Sequence, residues 1–340
     1  MNVAPTLDTT CMKRRETNME YHANNIITAE QQGELITAEQ IKSSIKTNAA
    51  SAYLLSLRSK LSRQKMGYFL NNVAKMTGNQ SMFHCDWGTM RRHHVQGIID
   101  LLIDAGRAPD TINTYLAGLK GVALEAWTMK QIDMESYHHI KQIKNVRGER
   151  IPKGRALERH EVAQLFKVCD EDSRCKGVRD SAIFGVLLGC GLRRGEIVAL
   201  DLGHINWREQ AITVMGKGNK ERLAFMPDGT LRRLKLWVND VRGEQPGPLF
   251  PRIRRHDDVQ DSRMTDQAIY EILRTRRMEA GLEHCSPHDL RRTYANDLLE
   301  TGVDIMTLKD MMGHASVTTT QRYIRIKDEQ MRNASKRLVI

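Results

Sequence analysis

From Ser286 to Tyr323 the chain is cut by its own punctuation into short helices. Ser286, Pro287 and Asp289 form a helix-start signature: a side-chain cap, a proline in the first turn and an acid at the positive dipole end. Gly302 stops that helix, and Asp304 caps a second. Gly313 stops the second just before His314, and Ser316 caps a third that carries Tyr323. Helices this short must pack their apolar faces on a core, so the polar groups at their borders converge. His288 and Arg291, at i and i+3, share one face.

Two histidines, an arginine and a lone tyrosine at such borders suit phosphoryl transfer. Tyr323 has the chemistry of a nucleophile, and the cations that of donors to charge developing on a phosphate. Singly, each has a plainer reading: a surface ion pair, a capping histidine, a packed aromatic.

At 340 residues the chain exceeds what one core usually serves, so two domains are expected. A formal net charge of +11 favours an acidic partner, nucleic acid first. The excess is unevenly placed, at −2 over residues 1–43, +7 over 44–150 and +6 over 151–340. Cysteines 11, 85, 169, 175, 190 and 285 contain no Cys-x-x-Cys pair and no spaced Cys/His quartet. Reduced thiols are therefore expected, with neither zinc nor a disulfide framework. The most apolar run, Ser181 to Leu192, is too short to span a bilayer, and a soluble cytoplasmic protein is expected.

Residues 1–43 are polar with scattered apolar positions and read as a flexible or loosely helical arm. Residues 44–145 read as a small helical domain. Ala52, Leu55 and Leu61 mark one segment, and Val95, Ile98, Ile99, Leu102 and Ile103 form a stripe in another. After Pro109, positions Ile112, Tyr115, Leu116 and Leu119 repeat at helical spacing, leaving Asn113 and Lys120 to face outward. The neighbours His93-His94 and His138-His139 should point in different directions, which argues against a metal site. Charge, Gly and Pro break the pattern over 146–155, a basic linker, and a second domain follows over 156–340.

That second domain opens with a helix from about Glu158 to Val168, burying Val162, Leu165 and Phe166, and an apolar helix ending near Gly189 and Gly191. Arg193 follows this break, with Glu196 three residues on to orient it. Alternation at His204–Trp207, Ala211–Met215 and Glu221–Pro227 predicts a small antiparallel sheet. Its second turn, Gly216 to Lys220, is a hairpin projecting Lys217, suited to donate a proton to a leaving oxygen. A nucleotide-binding loop is excluded, because Gly-x4-Gly-Lys-Ser/Thr is absent and no helix follows directly. Leu231–Val241 reads as a helix, Gln245–Arg263 as a variable loop, and Thr265 as the cap of a helix running to Gly281.

Taken in order, Arg193, Lys217, His288, Arg291, His314 and Tyr323 make the chain resemble the tyrosine recombinase (phage integrase) family, Xer-like members included. The strongest motifs are Gly191-Leu-Arg-Arg-Gly-Glu, Gly216-Lys-Gly-Asn-Lys-Glu-Arg, His288-Asp-Leu-Arg-Arg and Gly313-His, with Tyr323 nine residues after His314. The resemblance covers about residues 44–340, and all six positions match. It implies a mainly α fold with a small antiparallel sheet (α+β): a helical core-binding domain and a mixed α/β catalytic domain, closing as a C-shaped clamp on DNA.

By that resemblance Tyr323 attacks a DNA phosphate, leaving a 3′-phosphotyrosyl link and a free 5′-hydroxyl. Arg193 and Arg291 bind the non-bridging oxygens, His288 and His314 orient groups and move protons, and Lys217 is the general acid. No metal or cofactor is implied. Expected partners are double-stranded DNA at specific sites, three further copies in a homotetramer, and accessory DNA-bending or directionality proteins. Residues 327–340 are expected to dock on a neighbouring protomer, or else to pack on their own domain. Basic residues expected on DNA are Arg63, Lys65, Arg91, Arg92, Lys120, Lys220 and Arg222, with Arg58 and Lys60 beside them. The expected role is the integrase of a mobile element. The alternatives are a chromosome- or plasmid-dimer resolvase, a type IB topoisomerase, and a DNA-binding regulator without catalysis.

Overall fold

The computed structural model describes residues 37–148, 150, 154–216 and 220–321. The chain divides into two compact units, 1–151 and 152–340.

The first unit is all helix among its described residues. Its elements are α1 (Ala38–Ser44), α2 (Ala49–Ser56), α3 (Lys60–Met76), α4 (Arg92–Asp104), α5 (Pro109–Thr128) and α6 (Met134–Lys141). A capping box between Thr37 and Gln40 starts α1, and Ile41 from α1 enters the core. The arm expected to end at residue 43 therefore joins the helical unit from residue 37 on. Helix α5, with proline at its first position, lies against α2, α3, α4 and α6 and buries Ile112, Tyr115, Leu116 and Leu119. Gly121 lets Tyr53 of α2 lie against the α5 backbone; a β-carbon there would fall 2.1 Å from the ring.

Three expectations fail here. Leu61 and Ile103 are exposed, because the apolar stripes of α3 and α4 run through Leu70 and Val73 and through Val95, Ile98, Ile99 and Leu102 instead. Asn113 and Lys120 are half-buried and bonded to the chain, where the spacing left them to face outward. The chain beyond α6 returns along α5, and its peptide groups need partners: Asn113 exchanges hydrogen bonds with Val146 (3.0 and 2.9 Å), and Lys120 Nζ donates to the Ile143 carbonyl (2.6 Å). His93 and His94 do not diverge. His94, in the first turn of α4, folds back to accept from the Arg91 N–H, which brings the two Nε2 atoms within 3.0 Å.

The second unit is built on α8 (Cys175–Cys190), packed by α7 (Arg159–Asp170), α10 (Asp228–Trp237) and α12 (Pro287–Glu300). Covered on several sides, α8 is buried nearly all round, from Ala182 to Leu187 without interruption. After α9 (Arg194–Ala199) comes an antiparallel sheet in the order β1 (Ile205–Asn206), β2 (Ala211–Met215), β3 (Glu221–Phe225), with Val214 opposite Arg222. A π-helical turn, Val238–Arg242, extends α10.

The expected variable loop is partly a ribbon: β4 (Pro251–Ile253) pairs with β5 (Val259–Arg263). The proline begins its strand, where a missing donor costs least. Arg263 anchors the ribbon by donating to the Val198 and Leu200 carbonyls and to Asp201. Helices α11 (Asp266–Glu279), α12, α13 (Ile305–Met312) and α14 (Val317–Gln321) complete the described chain. Thr265 caps α11, Asp304 caps α13, and Gly313 closes α13 at φ 62°. No helix among the described residues is long and apolar enough to cross a membrane.

Candidate active site

Three segments meet in the second unit: the end of α8, strand β3, and the end of α13. Gly191 ends α8 in the left-handed region, at φ 60°. A β-carbon there would fall 2.2 Å from the Tyr294 ring, so the position combines a backbone and a steric demand for glycine. The turn it makes puts Arg193 at the N-cap of α9.

Glu196, one turn into α9, is the hub of this site. Its carboxylate accepts from the Arg193 N–H (2.8 Å), from Arg193 Nη1 (2.7 Å), and from both terminal nitrogens of Arg222 (3.1 and 2.8 Å). Arg291 Nη1 stands 3.9 Å away. Burial alone would raise the Glu196 pKa, but hydrogen bonds from Arg222 and Arg193 outweigh it and hold the carboxyl below its ordinary value.

Arg291 projects from α12 into the floor of the site, its side chain 1% exposed. It donates to the Gly191 carbonyl, to the Met312 carbonyl (2.5 Å) and to His314 Nε2 (3.0 Å). His314 follows the Gly313 cap; its N–H closes the helix on the Lys309 carbonyl (3.0 Å), and its Nδ1 lies 2.9 Å from the buried Thr320 hydroxyl. Burial, then the charges of Arg291, Arg193 and Arg222, push the imidazole down to about 4. His288 is exposed, and desolvation followed by Arg292 and Arg291 sets it below the ordinary histidine value. Arg193, 39% exposed, also reaches the Gly313 carbonyl (3.3 Å).

Four of the six residues singled out in the sequence thus lie in the second unit around one charge cluster. Lys217 and Tyr323 lie outside the described residues, as do residues 327–340; the Gly216 N–H donates to the Lys220 carbonyl (2.7 Å).

The basic residues sort differently. Lys65, Arg92 and Lys220 are exposed, with Arg58 and Lys60. Arg63 donates to the Leu57 carbonyl, Arg91 to those of Gly88 and Met90, and Lys120 to that of Ile143. Arg222 turns inward to Glu196 and to the Met311 carbonyl (3.3 Å), its side chain only 11% exposed. The strand period carried the signal: Arg222 shares its face with Ala224, which is buried. Thr320 had no local signal, because its partner is set by the fold of the chain around Gly313.

Residues 155–330 match the phage integrase family. The chain is 31% identical over 230 residues to tyrosine recombinase XerD of Pseudomonas putida, covering 66% of this chain and 74% of that protein. It is 27% identical over 238 residues to tyrosine recombinase XerC of Corynebacterium glutamicum, covering 69% and 74%. In fold it is similar to the recombinase XerH bound to palindromic difH in a post-cleavage complex, with a TM-score of 0.61 at 17% identity, over 88% of this chain and 96% of that one. It is also similar in fold to the Tn1549 transposon integrase in complex with circular intermediate DNA, with a TM-score of 0.59 at 16% identity, over 85% and 99%.

Proposed function

The chain belongs to the phage integrase family of tyrosine recombinases, enzymes that cleave and rejoin DNA strands, and from this premise we propose that it is a site-specific recombinase working through Tyr323. The observation that carries this reading is the cluster in which Arg193 and Arg291 flank the buried Glu196 and His314 pairs with Arg291. It is a preorganised cationic site of the kind that stabilises a pentavalent phosphate.

In this reading the Tyr323 hydroxyl attacks a phosphate of double-stranded DNA, the 5′-oxygen leaves, and a 3′-phosphotyrosyl bond conserves the ester energy. Arg193 and Arg291 hold the non-bridging oxygens. His314 accepts from Arg291 and fixes the plane of its guanidinium, while the exposed, neutral imidazole of His288 takes the tyrosine proton. Lys217 gives a proton to the leaving oxygen. Attack by the 5′-hydroxyl of a second duplex then completes exchange. Two paired sites have four strands to cut and each chain brings one Tyr323, so the reaction calls for four copies. The exposed cations Lys65, Arg92 and Lys220 contact backbone phosphates.

Two tasks use this chemistry: integrating a mobile element, and resolving chromosome or plasmid dimers. The Xer names of the relatives that cover most of this chain favour the second. One experiment addresses both levels. Full-length protein is mixed with fragmented total DNA of its source, trapped with denaturant, and the DNA ends left on Tyr323 are sequenced. Adducts at one chromosomal locus per replicon support dimer resolution; adducts at the borders of an inserted element support integration. No adduct with the wild-type chain overturns the proposal in favour of a DNA-binding regulator, and an undiminished one with Tyr323→Phe overturns Tyr323 as the nucleophile.

A further inference from the structure

Among the described residues around Glu196, Arg222 is a cation with no assigned part in the chemistry, and it grips the carboxylate with both terminal nitrogens. Its two terminal nitrogens take both carboxylate oxygens (3.1 and 2.8 Å), and its Nε donates to the Met311 carbonyl (3.3 Å). The side chains of Arg222 and Glu196 are 11% and 7% exposed, so water does little to screen the pair. The stem fits against the α13 terminus: a β-carbon on Gly313 would fall 3.0 Å from Arg222 Cδ and 3.2 Å from Nε. Strand β3, helix α9 and the turn that presents His314 are thus joined through one guanidinium.

Charge decides what this contact does. Three guanidinium groups, Arg193, Arg222 and Arg291, face one carboxylate, and His314 is neutral at physiological pH. Glu196 is needed to orient Arg193, whose N–H and Nη1 it accepts. That same carboxylate, 3.9 Å from Arg291 Nη1, competes with a phosphate for the other arginine. A cation dedicated to Glu196 removes the competition, leaving two positive charges directed at the phosphate.

We infer that Arg222 is a positioning residue for strand cleavage: by neutralising Glu196 it keeps Arg193 and Arg291 available to the two non-bridging oxygens of the scissile phosphate. This rests on the recombinase reading above. Arg222 touches no reacting atom and acts through Glu196. Neutralisation requires a charge, and bidentate contact requires a planar fork, so lysine should serve only in part.

The test uses the full-length chain and a nicked suicide duplex carrying the site mapped from the wild-type adducts. It is run once with the ordinary scissile phosphodiester and once with a neutral methylphosphonate in its place. Arg222→Ala is expected to slow formation of the covalent adduct about a hundredfold on the phosphodiester. On the methylphosphonate, which carries no negative charge to be shared between the arginines, the loss should shrink below tenfold. Adding Glu196→Gln to Arg222→Ala should recover at least tenfold on the phosphodiester, because the charge to be neutralised is gone, and Arg222→Lys should fall between wild type and Arg222→Ala. Equal losses on both duplexes, or no recovery in the double variant, would reduce Arg222 to a scaffold role and overturn the inference. Wild-type rates in Arg222→Ala would overturn it outright. Should Arg222→Ala not fold, Arg222→Gln removes the charge while keeping donors, and the same comparisons apply. Absence of adduct from the wild-type chain is a different result, because it removes the recombinase reading itself.

Discussion

Arg291 and His314, 23 residues apart in the chain, meet at 3.0 Å between Nη2 and Nε2. A guanidinium has only donors, so Nε2 must accept, and the single proton of the neutral ring sits on Nδ1 facing the Thr320 hydroxyl at 2.9 Å. Two long-range contacts therefore fix a tautomer, and with it the orientation of a buried arginine.

This pairing makes the ring hard to protonate. His314 is expected to titrate near pH 4 when its ring is followed by NMR, against about 6.5 for a free imidazole. The unfolded chain then binds more protons than the folded one between those values. The stability that His314 contributes is complete above pH 6.5 and is lost as pH falls toward 4, by up to ~3 kcal/mol. His314→Asn should flatten the unfolding free energy over that window. A ring titrating at or above 6.5 would contradict the assigned tautomer.

Thr320→Val keeps the shape of the side chain and removes the acceptor for Nδ1–H. A buried donor without its partner costs about 1–3 kcal/mol, and the alternative tautomer would turn an N–H toward Arg291. Strand cleavage should drop on the order of a hundredfold while the affinity for duplex DNA holds. Because Thr320 acts through His314 in this reading, a large loss of binding would count against it.

Much of this fold could be read locally. The caps at Thr265, Ser286 and Asp304 and the left-handed stops at Gly191 and Gly313 are short-range features, and helices begin and end beside them. What escaped the sequence pattern depends on partners far along the chain. Asn113 and Lys120 look like surface residues until the segment at Ile143–Val146 comes back to meet them. The β4–β5 ribbon was hidden because strands of three and five residues with alternating charge carry little periodic signal. Arg222 is the instructive case: its basic neighbours suggested DNA, while its place on the buried face of β3 set it against Glu196.

Two of the glycines with positive φ, Gly302 and Gly191, separate backbone strain from steric overlap. Gly302, at φ 92°, has open space where a β-carbon would go, whereas at Gly191 the Tyr294 ring occupies it. Gly302→Ala should cost about 1 kcal/mol of conformational strain. Gly191→Ala should cost more than about 3 kcal/mol, because overlap with a packed ring adds to that strain. Thermal unfolding of the two variants checks the order, and equal shifts would show that Tyr294 yields.

In the first half of α8, away from the Gly191 end, Arg276 donates to Asp180 (2.8 Å), Asp172 (2.7 Å) and Glu279 (3.0 Å), and Arg179 supplies Asp180 with a second cation (2.7 Å). The Asp172 carboxyl is held well below the usual range, first by Arg174 and then by Arg276 against the cost of burial. Arg276→Ala would leave Asp180 to Arg179 and Asp172 to Arg174, and the lost charge-assisted hydrogen bonds should cost about 1.5–3 kcal/mol. The sign with pH is fixed by the depressed pKa: the contribution is full above about pH 4 and disappears as pH falls through the folded value. In urea unfolding the wild type should therefore lose more stability on acidification than the variant, and parallel curves would rule out this role.

Lys217 offers the sharpest test of how the six residues divide their work. If it protonates the 5′-oxygen, its value depends on how poor a leaving group that oxygen is. An alkoxide needs the proton, while a thiolate, with a pKa several units lower, departs without one. Lys217→Ala should slow cleavage of an ordinary suicide duplex by ~10²–10⁴-fold, the usual range for general acid catalysis, and return to within tenfold of wild type on a duplex whose scissile bridging atom is 5′-sulfur. Arg291→Ala must show no such rescue, because the charge on its non-bridging oxygens is the same in both substrates. Tyr323→Phe should give no adduct on either. Were the sulfur substrate to leave Lys217→Ala as slow as before, the lysine would be a phosphate contact and the leaving-group proton would have to come from His288, the exposed imidazole of the site.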